Sequence, residues 1–419
     1  MVRVKKLLFL ALVTVLALSG CTGAGSSASK ADQKQAAELA ANVEDAAVDV
    51  DPSTVVAVTL QHGTFETVTL TSADGTLIEG GPVTETAGET DGTEGPTGST
   101  GPTSSTEPAS GSGTTWAASD RLEPGTSYTL AATAVGDDGE TTELSRSFTS
   151  MAVADADEIF PSVAPLAGET VGVGMPVVVL FDHPVTDHAS FEQHMAVAST
   201  PAQAGSWYWL SDTEAHWRPQ QYWQAGTSVQ VQLDLNSVPG GDGRYGQESR
   251  VIDFQVGSSH VITVDIAGHT MSVERDGQPA GTYPVTTGDS GHQTRVGTKI
   301  IMEKHESIDM DAATTGVDSS DPNYYRVEGV RWAMRLTYSG EFIHAAPWSV
   351  AQQGHANVSH GCVGMSTANA GTVFSESRRG DVVNFVNGSR PLEPGNGWTD
   401  WNVPWEEYQK GSALYQAPA

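Results

Sequence analysis

Between residues 48 and 256 the apolar side chains tend to fall on every second position, and that spacing limits what the segment can become. Tyr128, Leu130 and Ala132 make one such run, and Val229, Val231, Leu233 and Leu235 make another. A period of two puts apolar groups on one face of an extended chain, so these runs predict half-buried β-strands. The pattern also repeats. Trp116 lies nine residues before Gly125-Thr126-Ser127-Tyr128 and Trp217 nine before Gly226-Thr227-Ser228-Val229, an offset of 101 residues in both cases. Short strands, turn residues and a unit near 100 residues predict two immunoglobulin-like β-sandwich domains, over 48–152 and 153–256, without the inter-sheet Cys pair of antibody domains.

From Gly257 the chain stays β-rich. His260–Ile266, Thr270–Arg275 and Gly281–Thr287 read as strands around an Asp276-Gly277 turn, a hairpin signature. One helix stands out, with Ser366 as N-cap, Thr367–Ser377 as body, Arg378 and Arg379 beside the C-terminal dipole and Gly380 at C′. Asp381–Val386 returns as a strand. Residues 257–390 therefore predict a third, β-rich domain with few helices. The extension 391–419 carries three Trp between Trp398 and Trp405, and it is expected to pack on that domain because exposed Trp clusters without a partner are rare.

The first twenty residues have a basic start (Arg3, Lys5, Lys6) and an apolar run from Leu7 to Leu18, ending in Leu18-Ser19-Gly20-Cys21. This reads as a signal peptide over 1–20, since the apolar run is short of the roughly 20 residues a spanning helix needs. Leu-Ser-Gly-Cys resembles the lipobox of bacterial lipoproteins, which makes Cys21 the lipidated mature N-terminus. Small, polar and Ala-rich residues over 21–47 predict a tether, and the Gly, Thr, Ser, Glu and Pro of 84–115 a low-complexity insert in the first sandwich. A formal charge of -30, from 51 acidic and 21 basic residues, argues against nucleic acid and against a polybasic grip on anionic lipid. Membrane attachment is left to the lipid.

The chain has two cysteines, and lipidation of Cys21 leaves Cys362 unpaired in an exported protein. Such a thiol is buried and inert, bridged to another molecule, or reactive. Its surroundings bear on the choice: His344 lies eighteen residues upstream, and His355 and His360 lie between. An imidazole near a thiol can take its proton, and Gly361 permits backbone geometry that aims N–H groups at a developing oxyanion. The same three His and Cys362 are zinc ligands by type, yet their spacing matches no common zinc motif and no metal is expected.

Tyr338-Ser339-Gly340-Glu341-Phe342-Ile343-His344-Ala345-Ala346-Pro347-Trp348-Ser349, followed by Ser359-His360-Gly361-Cys362, resembles the signature of the L,D-transpeptidases of the bacterial envelope. The actinobacterial branch of that family is similar throughout, with a lipobox or membrane segment, two immunoglobulin-like modules, a β-rich catalytic domain and a Trp-containing C-terminal extension. The resemblance implies Cys362 as nucleophile, His344 as base and the Ala345 carbonyl as the group orienting its ring. It implies oxyanion donors in the N–H groups of Cys362 and Gly361 and in the hydroxyl of Tyr325, with Tyr324 as the adjacent alternative. Ser359, His360, His355 and Trp348 are candidates for the substrate site, although structural roles also suit the two His and packing suits Trp348. The chain departs at Gly364, where the family usually carries Arg or Asn.

The implied activity joins third-position diamino acids of two peptidoglycan stems through a Cys thioester. A donor tetrapeptide and an acceptor stem are the partners, carbapenems acylate the same Cys, and no cofactor is needed. The implied location is the outer face of the cytoplasmic membrane, anchored by lipid and facing the wall. Two other readings stand beside it: an L,D-carboxypeptidase using water as acceptor, which Gly364 keeps open, and a non-catalytic wall-binding lipoprotein.

Overall fold

The computed structural model describes residues 34–83, 113–321 and 324–417. The signal peptide, Cys21 and residues 84–112 of the insert lie outside the described residues. The chain is mainly β, as its periodicity predicts. In the first sandwich, Glu38–Ala41, Ala57–Gln61, Thr114–Ala118 and Gly80–Val83 form one four-stranded sheet. Leu77–Ile78, Thr64–Ser72, Ser127–Val135 and Thr141–Thr149 form the other. Tyr128, Leu130, Ala132 and Ala134 point inward from Ser127–Val135, and Trp116, Val58, Leu70 and Phe148 pack around the first three of them. The larger of these, such as Leu130, Leu70 and Phe148, each stabilise the fold by roughly 1.5–3 kcal/mol on burial.

Two expectations are corrected here. The stretch expected as a tether is folded from at least Glu38, because Glu38–Ala41 pairs with Ala57–Gln61 and buries Ala37 and Val43 nearby. The expected insert also runs too far, since Thr114 and Thr115 already belong to a strand.

The second sandwich has sheets of Pro161–Ala164, Val177–Phe181, Glu214–Pro219 and Gly205–Ser211, and of Thr170–Val171, Arg250–Val256, Ser228–Leu233 and Met195–Thr200. The 101-residue repeat has a physical basis in the packing of its two Trp. Gly80 pairs with Ala118 and Gly205 with Pro219, in each case two residues past the repeated Trp. A Cβ on Gly80 would lie 2.2 Å from Trp116 Cζ2, and one on Gly205 would lie 2.1 Å from Trp217 Cζ2. Each indole thus lies flat where the neighbouring strand has no side chain.

Two sheets build the third domain. Six strands run in the order Gln278–Pro284, Thr270–Arg275, His260–Asp265, Val382–Val386, Arg295–Ile300, Arg390–Pro391. Four run Glu303–Asp311, Arg326–Arg335, Phe342–Ala345, Val363–Met365. Asp276 and Gly277 have φ of 49° and 73°, as a two-residue hairpin turn requires. The helix spans Thr367–Glu376, and the Ser366 hydroxyl accepts from Asn369 N–H at 3.2 Å. Gly380 is not its C′ residue, because the C-cap is Ser377 in an extended conformation. Gly380 instead meets the second sandwich: the Gly174 N–H donates to its carbonyl at 2.9 Å, and a Cβ on it would lie 2.8 Å from Gly172 N.

That contact belongs to an apolar seam. Val173 and Met175 of the second sandwich share one core with Ile300, Met302, Val382 and Trp398. The Trp-rich extension, expected to pack on the third domain, straddles the seam. Asn402 bonds both the N–H and the carbonyl of Thr298, at 2.8 and 2.7 Å, while Trp401 Nε1 donates to Gly174 O at 2.8 Å. Arg218 lies over the rings of Trp401, Trp405 and Tyr408. Beneath them, fully buried His216 donates Nδ1 to Asp400 at 3.0 Å and Nε2 to Glu214 at 2.9 Å. Among the described residues no helix is long and apolar enough to cross a membrane.

Burial alone would lower the His216 pKa, but the Asp400 and Glu214 carboxylates outweigh it and hold the imidazole at about 9. A folded-state pKa above the unfolded value near 6.5 contributes stability that is full below that pH and lost as the pH rises through 9. Asp400→Asn strips a buried charge of its main partner and is expected to cost about 3–5 kcal/mol. Thermal melting at pH 6 and pH 9.5 checks both: the wild type should lose stability between the two, and the variant should lose less.

Candidate active site

The strands Phe342–Ala345 and Val363–Met365 pair in parallel, with Ile343 opposite Val363 and His344 opposite Gly364. This brings His344 and Cys362 to one cavity of about 260 Å³, whose lining also includes Tyr325, Trp348, Ser359, His360 and Gly364. His344 is buried and its Nδ1 donates to Ala345 O at 2.8 Å. A carbonyl only accepts, so the proton sits on Nδ1 and Nε2 keeps its lone pair. Burial lowers the His344 pKa, with the Ala345 bond opposing.

Cys362 is 6% exposed and its Sγ lies 3.5 Å from Gly340 O. Burial pushes the thiol up to about 12, against a hydrogen bond from the Phe342 backbone. Burial thus favours the neutral form of both side chains that line the cavity.

The Ser-His-Gly-Cys run is held from several sides. Gly361 has φ +118°, a conformation that side chains disfavour. Ser359 Oγ donates to Cys362 O at 2.6 Å and accepts the Gly361 N–H at 3.1 Å. The Gly361 N–H expected as an oxyanion donor is thus engaged with Ser359. Thr294 Oγ1 donates to Gly361 O at 2.8 Å. Tyr325 lines the cavity, and burial with the nearby Cys362 raises its pKa to about 12; Tyr324 sits beside Asp311 instead. The Tyr325 ring lies 5.0 Å from that of His360, which lies 4.4 Å from His292. Trp348 stands 61% exposed at the rim, 6.0 Å from the His344 ring.

His355 does not join this group. It is exposed, lines no part of the cavity, and its N–H donates to Gln352 O at 2.9 Å. Among the described residues no three His, Cys, Asp or Glu are placed to hold a metal ion. Sequence reasoning missed Met310, Val327, Val330 and Thr286 in the lining, because they sit on distant strands or loops with no local signal. Gly364 has a steric reason to be small: a Cβ there would lie 2.9 Å from Thr286 Cγ2 and 3.0 Å from Ala346 Cβ.

An exposed-rim cavity holding a Cys and a His, on a β-rich domain behind two sandwiches, defines a candidate thiol site on a multidomain β-protein. Comparison with known proteins gives its family. Residues 259–385 match the family described as L,D-transpeptidase catalytic domain, and residues 101–239 match the Bacterial Ig domain. L,D-transpeptidase 2 of Mycobacterium tuberculosis is 32% identical over 98% of this chain and 96% of its own length. L,D-transpeptidase 5 of the same species is 30% identical over 95% of this chain and 82% of its own. A solved L,D-transpeptidase in complex with imipenem is 33% identical over 54% of this chain and 97% of that one, with a TM-score of 0.48. The chain belongs to the L,D-transpeptidase family and carries its immunoglobulin-like and catalytic domains.

The packing at Gly364 generates a prediction. Gly364→Ala should cost about 1–3 kcal/mol through overpacking, and Thr286→Ser, which removes only the crowding Cγ2, should restore part of it. Chemical denaturation of the single and double variants measures the coupling.

Proposed function

We propose that Cys362 is the nucleophile and His344 the general base of a two-step acyl transfer. The observation that carries this reading is their placement in one cavity, with His344 Nδ1 tied to Ala345 O and Nε2 left as acceptor. In the first step Cys362 attacks the carbonyl of the L-centre of the third-residue diamino acid in a donor tetrapeptide. His344 takes the thiol proton and returns it to the departing D-Ala amine, leaving a thioester. The Cys362 N–H and the Tyr325 hydroxyl supply hydrogen bonds to the oxyanion, a role the cavity position of Tyr325 supports. Gly361 contributes through its positive φ, not its N–H.

In the second step the side-chain amine of an acceptor stem attacks the thioester, His344 accepts its proton, and the C–S bond breaks as His344 returns that proton to the Cys362 sulfur. The product is a cross-link between two third residues. Ser359, His360 and Trp348 border the space where both stems must lie. A carbapenem would acylate Cys362 through its strained amide, and imipenem bound to a relative supports that class as inhibitors. The chain would act outside the cytoplasm on the wall, held by a diacylglyceryl group on Cys21; two acyl chains suffice for stable anchoring. The second sandwich shares a core with the third domain and so belongs to the catalytic body, leaving the first as the spacer.

Intact mass after incubation with a carbapenem tests the nucleophile: one adduct on the wild type and none on Cys362→Ala is expected. Supplying donor and acceptor stems then separates dimer from hydrolysed tripeptide by product mass. Tripeptide alone would make the protein an L,D-carboxypeptidase. No adduct, with Cys362 still open to a small alkylating reagent, would leave only a wall-binding role.

A further inference from the structure

Outside the cavity lining, Lys299 and Arg295 gather on Glu341, whose carboxylate abuts Gly361, the residue before Cys362. The side chains of Lys299 and Glu341 are 0% and 4% exposed, and Lys299 Nζ hydrogen-bonds to Glu341 Oε2. Arg295 donates to Glu341 Oε1 twice, from Nη1 and from its backbone N–H, each at 3.1 Å. Lys299 Nζ also lies 3.6 Å from the centre of the Phe385 ring. A buried ion pair carries a desolvation cost that its own attraction barely offsets, so it is weak evidence of a contribution to stability.

The position of Glu341 points to a use. Its peptide neighbour Gly340 holds the Cys362 sulfur, with Sγ donating to Gly340 O at 3.5 Å, and the backbone of its other neighbour, Phe342, favours the thiolate. On the other side, a Cβ built on Gly361 would lie 3.6 Å from Glu341 Oε1. A bare carboxylate this close would oppose a thiolate at Cys362.

We propose that Lys299 and Arg295 are positioning residues for Cys362: by binding the Glu341 carboxylate they fix the Gly340–Phe342 backbone that grips the sulfur, and they cancel the negative charge behind it. The proposal rests on Cys362 being the nucleophile. The charged groups acting on the sulfur are Glu341, Lys299 and Arg335, with Tyr325 and His344 facing it from the cavity. Arg295 acts on Lys299 in turn.

The test is the second-order rate of iodoacetamide alkylation at fixed pH in the full chain, with Cys362→Ala as background. Lys299→Met should slow alkylation about tenfold, equivalent to one pKa unit, and Lys299→Arg should restore most of the rate. Glu341→Gln, which keeps the shape and removes the charge, should speed it several-fold. Equal rates in all variants, with only the melting temperature moving, would make the cluster structural and overturn the proposal. Should Lys299→Met fail to fold, Glu341→Gln decides alone: an unchanged or slower rate overturns it. A wild type that alkylates normally yet takes no carbapenem adduct would sink the nucleophile reading instead, so the two failures are distinguishable.

Discussion

Three residue pairs of parallel ladder, Ile343 with Val363, His344 with Gly364 and Ala345 with Met365, hold the site together. Parallel strands cannot be joined by a tight turn, so the chain between them must leave the sheet and return. That excursion carries Trp348 to the rim and brings Ser359 and His360 back beside Cys362. The register matters as much as the pairing. A slip of one residue would turn His344 into the core where Ile343 now sits and put an apolar side chain in the cavity. Gly364 is pinned by the same arrangement, since it pairs with His344 on one side and bridges Thr286 on the other.

Much of this was legible in the sequence where the signal is local. Alternating residues named the strands, Ser366 named a helix start, and the spacing of His344 and Cys362 named the two side chains that share the cavity. What was not legible depends on partners far apart in the chain. Gly80 and Gly205 look like turn residues until each is seen beneath an indole. His216 and Asp400 lie 184 residues apart and Lys299 and Glu341 lie 42 apart, and no local pattern links either pair. Glu38–Ala41 was misread because Glu and Ala are poor strand formers; tertiary pairing with Ala57–Gln61 overrides that preference. His355 shows the opposite error, a residue near the site in sequence and outside it in space.

Burial acts in contrasting ways on the buried charges. At His216 two carboxylates overcome it and keep the ring charged. At Cys362 and His344 it favours the neutral form of both groups. A thiol held in that state is a poor substrate for oxidants, because the thiolate is the reactive form.

The two junctions along the chain differ in kind. The first and second sandwiches meet through polar contacts, Ser237 Oγ to Leu122 O at 2.7 Å, Asn236 to Glu123 at 2.8 Å and Arg121 to Asp234 at 3.4 Å, while their cores remain separate. The second sandwich and the third domain instead share Ile300, Met302, Val382 and Trp398 in one core and are strapped by Trp401. Apart from the buried Ser237 bond, the contacts of the first junction are polar and partly exposed, whereas opening the seam would wet apolar side chains. The first junction is therefore held by less apolar contact than the second. The cleft with its thiol therefore sits on the part of the molecule that shares one continuous core.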